Sequence, residues 1–172
     1  MKSIAIRRTC PAETGLLPAV ERSAALAFLE VPGLEWVTSH DVTPDTVHAE
    51  ALRAGLSWVA VCNEAAVVGF VIAEEYDDAV HVLELSVARE AQGRGAGTQL
   101  VKTVIADARE RGKMSVTLTT FLDLSFNEQF YQKSGFVRIP NEAMPARLQA
   151  ALEYEKSLGL PRNRRCAMRL AL

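Results

Sequence analysis

Gln92-Gly93-Arg94-Gly95-Ala96-Gly97-Thr98 stands between a run of β character and an amphipathic helical pattern. Glycines there allow backbone angles, and a closeness of approach, that a Cβ would obstruct. The N–H groups opening a helix have no partner within it, and the helix dipole adds partial positive charge to them. Such a corner suits an anion, above all a phosphate or pyrophosphate. Two familiar phosphate motifs fail on spacing. The dinucleotide signature needs Gly-x-Gly-x-x-Gly, whereas these glycines fall at 93, 95 and 97. The P-loop ends in Gly-Lys-Ser/Thr, but Thr98 and Gln99 follow Gly97 here.

Downstream of this stretch, Leu100, Val101, Val104, Ile105 and Ala108 recur at helical spacing until Gly112 stops them. Ser115–Thr120 is β-branched and reads as a strand, followed by a helix over Leu124–Ser134 ending at Gly135. A strand over Phe136–Ile139, a helix over Ala146–Ser157 and a strand over Cys166–Leu170 complete the chain. Upstream, His81–Val87 is the third of three consecutive strands. It follows Ser57–Cys62 and Ala66–Glu74, whose hairpin turn is expected at Asn63-Glu64. Earlier still come a strand over residues 3–7, a helical pattern over Pro11–Leu29 started or kinked by Pro18, and a helix over Asp41–Ala54. The order gives an α/β fold: one mixed sheet with helices packed on it.

The composition bounds the function. A chain of 172 residues fits one domain, 1–172, and a net charge of −2 argues against nucleic-acid binding. Hydrophobic residues reach 49%, enough for a core, and the most apolar stretch, Ala65–Ala73, is far shorter than the ~20 residues that span a bilayer. Cys10, Cys62 and Cys166 are too scattered for a disulfide framework, and His40, His48 and His81 lack metal-ligand spacing. The start, Met1-Lys2-Ser3-Ile4-Ala5-Ile6, lacks an apolar segment of signal-peptide length. A cytoplasmic protein without a metal, a membrane or a nucleic-acid partner is expected.

Gln92, Gly95 and Gly97 match the pattern Gln/Arg-x-x-Gly-x-Gly/Ala, and Asn127 to Phe136 contains Phe130-Tyr131-x-x-x-Gly135-Phe136. On these two elements, and on the strand and helix order over nearly the whole length, the chain resembles the GNAT superfamily of N-acetyltransferases. The resemblance implies a mostly antiparallel mixed sheet flanked by helices. It also implies acetyl-CoA as co-substrate, its pyrophosphate held by the amides of Gln92, Gly93, Arg94, Gly95, Ala96, Gly97 and Thr98. The pantetheine arm is implied to run along Leu85, Ser86 and Val87, with Asn127 and Phe130 beside it. Phe130 and Phe136 also read as core.

Tyr131 is the expected general acid for the leaving thiolate, since a phenol releases its proton only as the sulfur gains charge. Glu84, on a central strand where a carboxylate is hard to bury without reason, is the expected base for the amine; water is the alternative. Glu21 and Trp36, in the first two helices and their connection, with Thr120 at a strand end, are the expected contacts to the acceptor. That acceptor is a primary amine of a small molecule, or of a peptide. A non-catalytic acyl-CoA-binding module is the competing reading, and a homodimer through the C-terminal helix and strand is open.

Overall fold

The computed structural model describes residues 3–63 and 65–172. Its seven-stranded mixed sheet has the order β1-β2-β3-β4-β5-β7-β6 and is flanked by helices. The strands are β1 (Ile4–Arg8), β2 (Ser57–Cys62), β3 (Ala66–Glu75), β4 (Ala79–Val87), β5 (Ser115–Phe121), β6 (Val137–Arg138) and β7 (Arg165–Ala171). The β1–β2, β2–β3, β5–β7 and β6–β7 pairs are antiparallel, while β4–β5 is parallel. A parallel pair needs a long crossover, and α3 (Ala96–Glu110) supplies it. Two compact units result, with β4 and α3 contributing residues to both.

The first unit holds the described residues up to Glu74 together with Leu83–Val104. Its core joins Leu17 and Val20 of α1 (Leu17–Ala25), Ala51 of α2 (Asp45–Arg53) and Val59, Val61, Phe70 and Ile72 of the sheet. β2 is buried on both faces, which explains its unbroken apolar run. At Gly69 a Cβ would lie 3.1 Å from Ser86 O and 3.2 Å from Val87 Cγ2, so glycine is what lets β3 approach β4 there.

The helical pattern of Pro11–Leu29 does not form one helix. Pro11–Leu16 is a 3-10 turn, α1 occupies Leu17–Ala25, and Leu26–Glu30 is again 3-10. Pro18 sits in the first turn of α1, where its missing N–H costs nothing, but that missing donor also severs α1 from the turn before it. The helix expected over Asp41–Ala54 starts only at Asp45. Pro44 is its N-cap, with φ −62° and ψ 147°, and proline biases the residue before it to extended angles. Of the expected hairpin turn, Asn63 adopts φ 51° and Glu64 lies outside the described residues.

The second unit comprises Glu75–Val82 and Ile105–Leu172. Here β4 pairs with β5 from Ala79↔Ser115 to Val82↔Leu118. A core of Ile139, Met144, Leu148, Leu152 and Ala167 forms under α5 (Ala146–Ser157), whose bounds agree with the sequence pattern. The helix expected over Leu124–Ser134 is reduced to α4 (Glu128–Lys133). Glu128 is the cause: its buried carboxylate accepts the Asp123 N–H at 2.8 Å and Arg138 Nε at 2.7 Å, folding the preceding residues into a turn.

Candidate functional site

The glycine stretch opens α3. Gly93 and Gly95 adopt φ 74° and 86°, the left-handed region that favours glycine. A Cβ at Gly93 would meet nothing within 4 Å, and one at Gly95 would meet only Gln99 Nε2 at 4.0 Å. The backbone therefore presents itself to open space. Gln99 N–H reaches Gly95 O at 3.0 Å, closing the first turn of α3, so the amides of Ala96, Gly97 and Thr98 precede the regular helical bonds. Gln92 braces the turn: its Nε2 donates to Val87 O at 2.9 Å and its Oε1 accepts Arg89 Nη1 at 3.1 Å. Arg89 is held in turn by Glu30. The arrangement fits an anion gripped by main-chain donors on a preformed loop. Arg94 stands exposed beside it.

β4 runs into this loop. Its ladder to β5 ends at Val82, yet the strand continues to Val87. On that continuation Leu85 and Val87 are half-buried and Ser86 is buried. Glu84 and Ser86 share a strand face by alternation, and the Ser86 hydroxyl donates to Glu84 Oε1 at 2.7 Å. Glu21, on α1, has both carboxylate oxygens 3.0 Å from the Thr43 N–H, and Oε1 also accepts the Thr43 hydroxyl at 3.2 Å. Ser23, two residues along α1, accepts the Arg89 N–H at 3.0 Å and so ties that helix to the end of β4. Burial, and secondly the charge of Glu84, push the Glu21 carboxyl up to about 7. Two sequence candidates thus meet in the first unit, Glu84 and Glu21. Trp36 is taken up by its own loop, its Nε1 donating to Gly33 O at 3.2 Å and its ring lying 5.9 Å from that of His40.

The second unit carries the remaining candidates. Tyr131 is buried on α4, edge-on to Phe130 at 5.0 Å and to Phe136 at 5.7 Å between ring centroids. Asn127 is the N-cap of α4, one turn before Tyr131, whose N–H donates to Asn127 O at 3.1 Å. Thr120 is buried on β5 and donates its hydroxyl to Asn127 Oδ1 at 2.9 Å. Sequence reasoning missed one residue, Thr43, and two pairings between residues it had named, Ser86 with Glu84 and Thr120 with Asn127. The Ser86–Glu84 pairing was recoverable from strand period, while Thr43 and the Thr120–Asn127 bond depend on tertiary contact and left no local signal.

Among the described residues no group of three or more His, Cys, Asp or Glu side chains could hold a metal ion, and no helix is long and apolar enough to cross a membrane. Cys10, Cys62 and Cys166 are free.

Comparison with known proteins gives the arrangement a context. The probable N-acetyltransferase camello of Xenopus laevis is 40% identical over 82 residues, a stretch covering 46% of this chain and 37% of that relative. The chain thus spans little more than a third of that relative's length. The PaiA N-acetyltransferase of Thermoplasma acidophilum, solved in complex with coenzyme A, superposes with a TM-score of 0.70 at 15% identity, over 99% of each chain. Arabidopsis thaliana Naa50, solved with the bisubstrate analogue CoA-Ac-MVNAL, gives a TM-score of 0.66 at 17% identity, again over 99% of each chain. At such identities these structures speak for the fold. The model of the Acetyltransferase (GNAT) family matches residues 25–136, through the glycine loop to Phe136, and on that match the chain belongs to the GNAT family.

Proposed function

We propose that the protein, acting as one domain over 1–172 in the cytoplasm, transfers an acetyl group from acetyl-CoA to a primary amine of a small molecule or peptide. The observation that carries this reading is the loop Gln92–Thr98, with two left-handed glycines and open space where their side chains would stand. Family membership and the coenzyme A complexes of its structural neighbours support it. Acetyl-CoA supplies a thioester carbonyl open to direct attack by the amine nitrogen.

The chain's own residues do the rest. The amides from Gln92 to Thr98 hold the pyrophosphate, and the backbone of Leu85, Ser86 and Val87 holds the arm and polarises the carbonyl, alongside Asn127 and Phe130. A preorganised donor at a developing oxyanion is worth ~2.7–4 kcal/mol. Glu84 accepts a proton from the ammonium, freeing the lone pair of the amine. Glu21 beside it, its carboxyl pushed up to about 7, adds negative charge above that pH and so draws a cationic acceptor, with Trp36 as an aromatic contact. Tyr131 Oη gives its proton to the departing sulfur. The proton shed by the nitrogen on forming the amide balances that transfer through solvent.

Incubating the protein with acetyl-CoA and a panel of amines while following thiol release tests the reading; no turnover together with no CoA binding would overturn it. Gly95→Trp separates the loop from the fold. Left-handed angles cost an L-residue ~1–2 kcal/mol, so the variant should melt a few degrees lower yet lose CoA binding entirely. Undiminished affinity would mean the loop is not the cradle.

A further inference from the structure

The start of α4 departs from the habit of its capping residue. Asparagine is favoured at an N-cap because its Oδ1 accepts a hydrogen bond from the second or third amide of the helix. Asn127 makes no such bond. The second amide, Gln129 N–H, goes to Leu124 O at 3.2 Å, and Asn127 Oδ1 takes the Thr120 hydroxyl at 2.9 Å. The backbone of Asn127 is pinned as well. Its N–H donates to Leu124 O at 3.2 Å, its carbonyl accepts Tyr131 N–H at 3.1 Å, and its angles, φ −126° and ψ −107°, lie outside the main allowed regions. Thr120 is 3% exposed, and a hydroxyl so buried needs a partner for its proton.

An amide side chain has an accepting end and a donating end. Thr120 takes one of the two lone pairs of Oδ1 and holds that oxygen toward β5, so the end it leaves to serve a ligand is the NH2. We infer that Thr120 is a positioning residue: it fixes Asn127 so that Nδ2 donates to a carbonyl acceptor of the bound ligand and rejects a donor. Taking that ligand as coenzyme A, whose pantetheine arm carries amide carbonyls, rests on the acetyltransferase reading; the orientation of Asn127 does not.

Calorimetric titration of the full chain with CoA, beside a 15N spectrum of the side-chain amides without ligand, tests this. Thr120→Val keeps the shape and removes the hydroxyl, so CoA should bind about threefold to tenfold more weakly, the worth of one net hydrogen bond. Thr120→Ser should restore affinity to within about twofold of the parent. Asn127→Asp should weaken CoA about tenfold or more, the ligand carbonyl now facing a charge, while melting stays level because the Thr120 hydroxyl keeps a carboxylate oxygen as its acceptor. Wild-type affinity in Thr120→Val, or equal loss in Thr120→Val and Thr120→Ser, overturns the inference. Should the parent protein fail to bind CoA, the acetyltransferase reading falls, and the spectrum alone judges the orientation. A resolved Asn127 NH2 pair that shifts in Thr120→Val but not in Thr120→Ser upholds it; an unmoved pair overturns it.

Discussion

Tyr131 is clasped between Phe130 and Phe136, and a phenylalanine in its place would keep those ring contacts while losing only the hydroxyl. General acids contribute roughly 10²–10⁴-fold. Tyr131→Phe should therefore lower kcat by about 10²-fold or more and leave CoA affinity within about threefold of the parent, as kinetics and calorimetry would read. Equal losses in both would make the tyrosine a packing residue. Glu21 gives a prediction of the opposite kind, on stability. Its carboxyl is pushed up to about 7 by burial and by Glu84, so the folded protein favours the protonated form. The benefit is fully present below the ordinary pKa of ~4.3 and is lost as pH rises through 7. Glu21→Gln, neutral throughout, should gain on the parent as pH rises from 4 to 8, by ~1–2 kcal/mol after solvent screening. Denaturant melts at the two ends check the sign. Glu84 could be picked out because a carboxylate in a strand is anomalous by itself. The displacement falls on Glu21 because α1 is tied to the end of β4 by Ser23, a contact that spans distant parts of the chain.

Among the elements, Glu128 shows how one side chain can decide where a helix begins. It is 1% exposed, receives the Asp123 N–H and pairs with Arg138 on β6. Glu128 is buried but Arg138 is half exposed, so removing Glu128 leaves the guanidinium in water and costs the hydrogen bonds made to a charged acceptor, ~1.5–3 kcal/mol. Glu128→Ala should accordingly lower the melting temperature by roughly 3–12 °C at 2–4 °C per kcal/mol for a chain of this size, whereas the exposed pair Lys156–Glu153 should matter little. A shift as small as that of Lys156→Ala would deny Glu128 this role. The same residue explains why the extent of α4 was illegible: the periodicity from Leu124 onward is genuine, but a tertiary ion pair draws the first turn away. Proline governs the other misread ends, at Pro18 and Pro44, where a missing donor and a restricted preceding residue outweigh an apolar stripe. Elements set by their own residues, such as α5 and the glycine loop, could be read directly. Positive φ at Gly93 and Gly95 is a local necessity, and glycine announces it.

Over the whole molecule, each unit buries one histidine. His48 in the first is 1% exposed, edge-on to Phe70 at 5.4 Å, and neither ring nitrogen has a partner. His81 in the second is 6% exposed, its Nδ1 2.9 Å from Thr117 Oγ1, with Arg147 over the nearby Tyr76 ring. Burial lowers the pKa of both. His81 falls to about 4, the Arg147 charge adding to the effect, while Asp45 partly opposes the fall at His48. A depressed histidine contributes stability that is whole above its ordinary pKa of ~6.5 and lost as pH drops toward the folded value. For His81 the window runs from ~6.5 to about 4, with at most ~3 kcal/mol at stake. The Glu13–Arg7 pair acts lower down: with its carboxyl held at about 2 it loses its contribution only below ~4.3. Glu21 runs the other way, so absolute melting curves would mix two signs, and differences against variants are needed. Measured from pH 7.5 to 4.5, the melting temperature of the parent should fall by ~5–10 °C relative to His81→Gln, which keeps a polar group for Thr117. His48→Leu should remove a smaller acid loss and raise stability even at pH 7.5, because an unpartnered buried polar group is replaced by an apolar one. A constant gap between parent and His81→Gln across that range would show that His81 takes up its proton without hindrance.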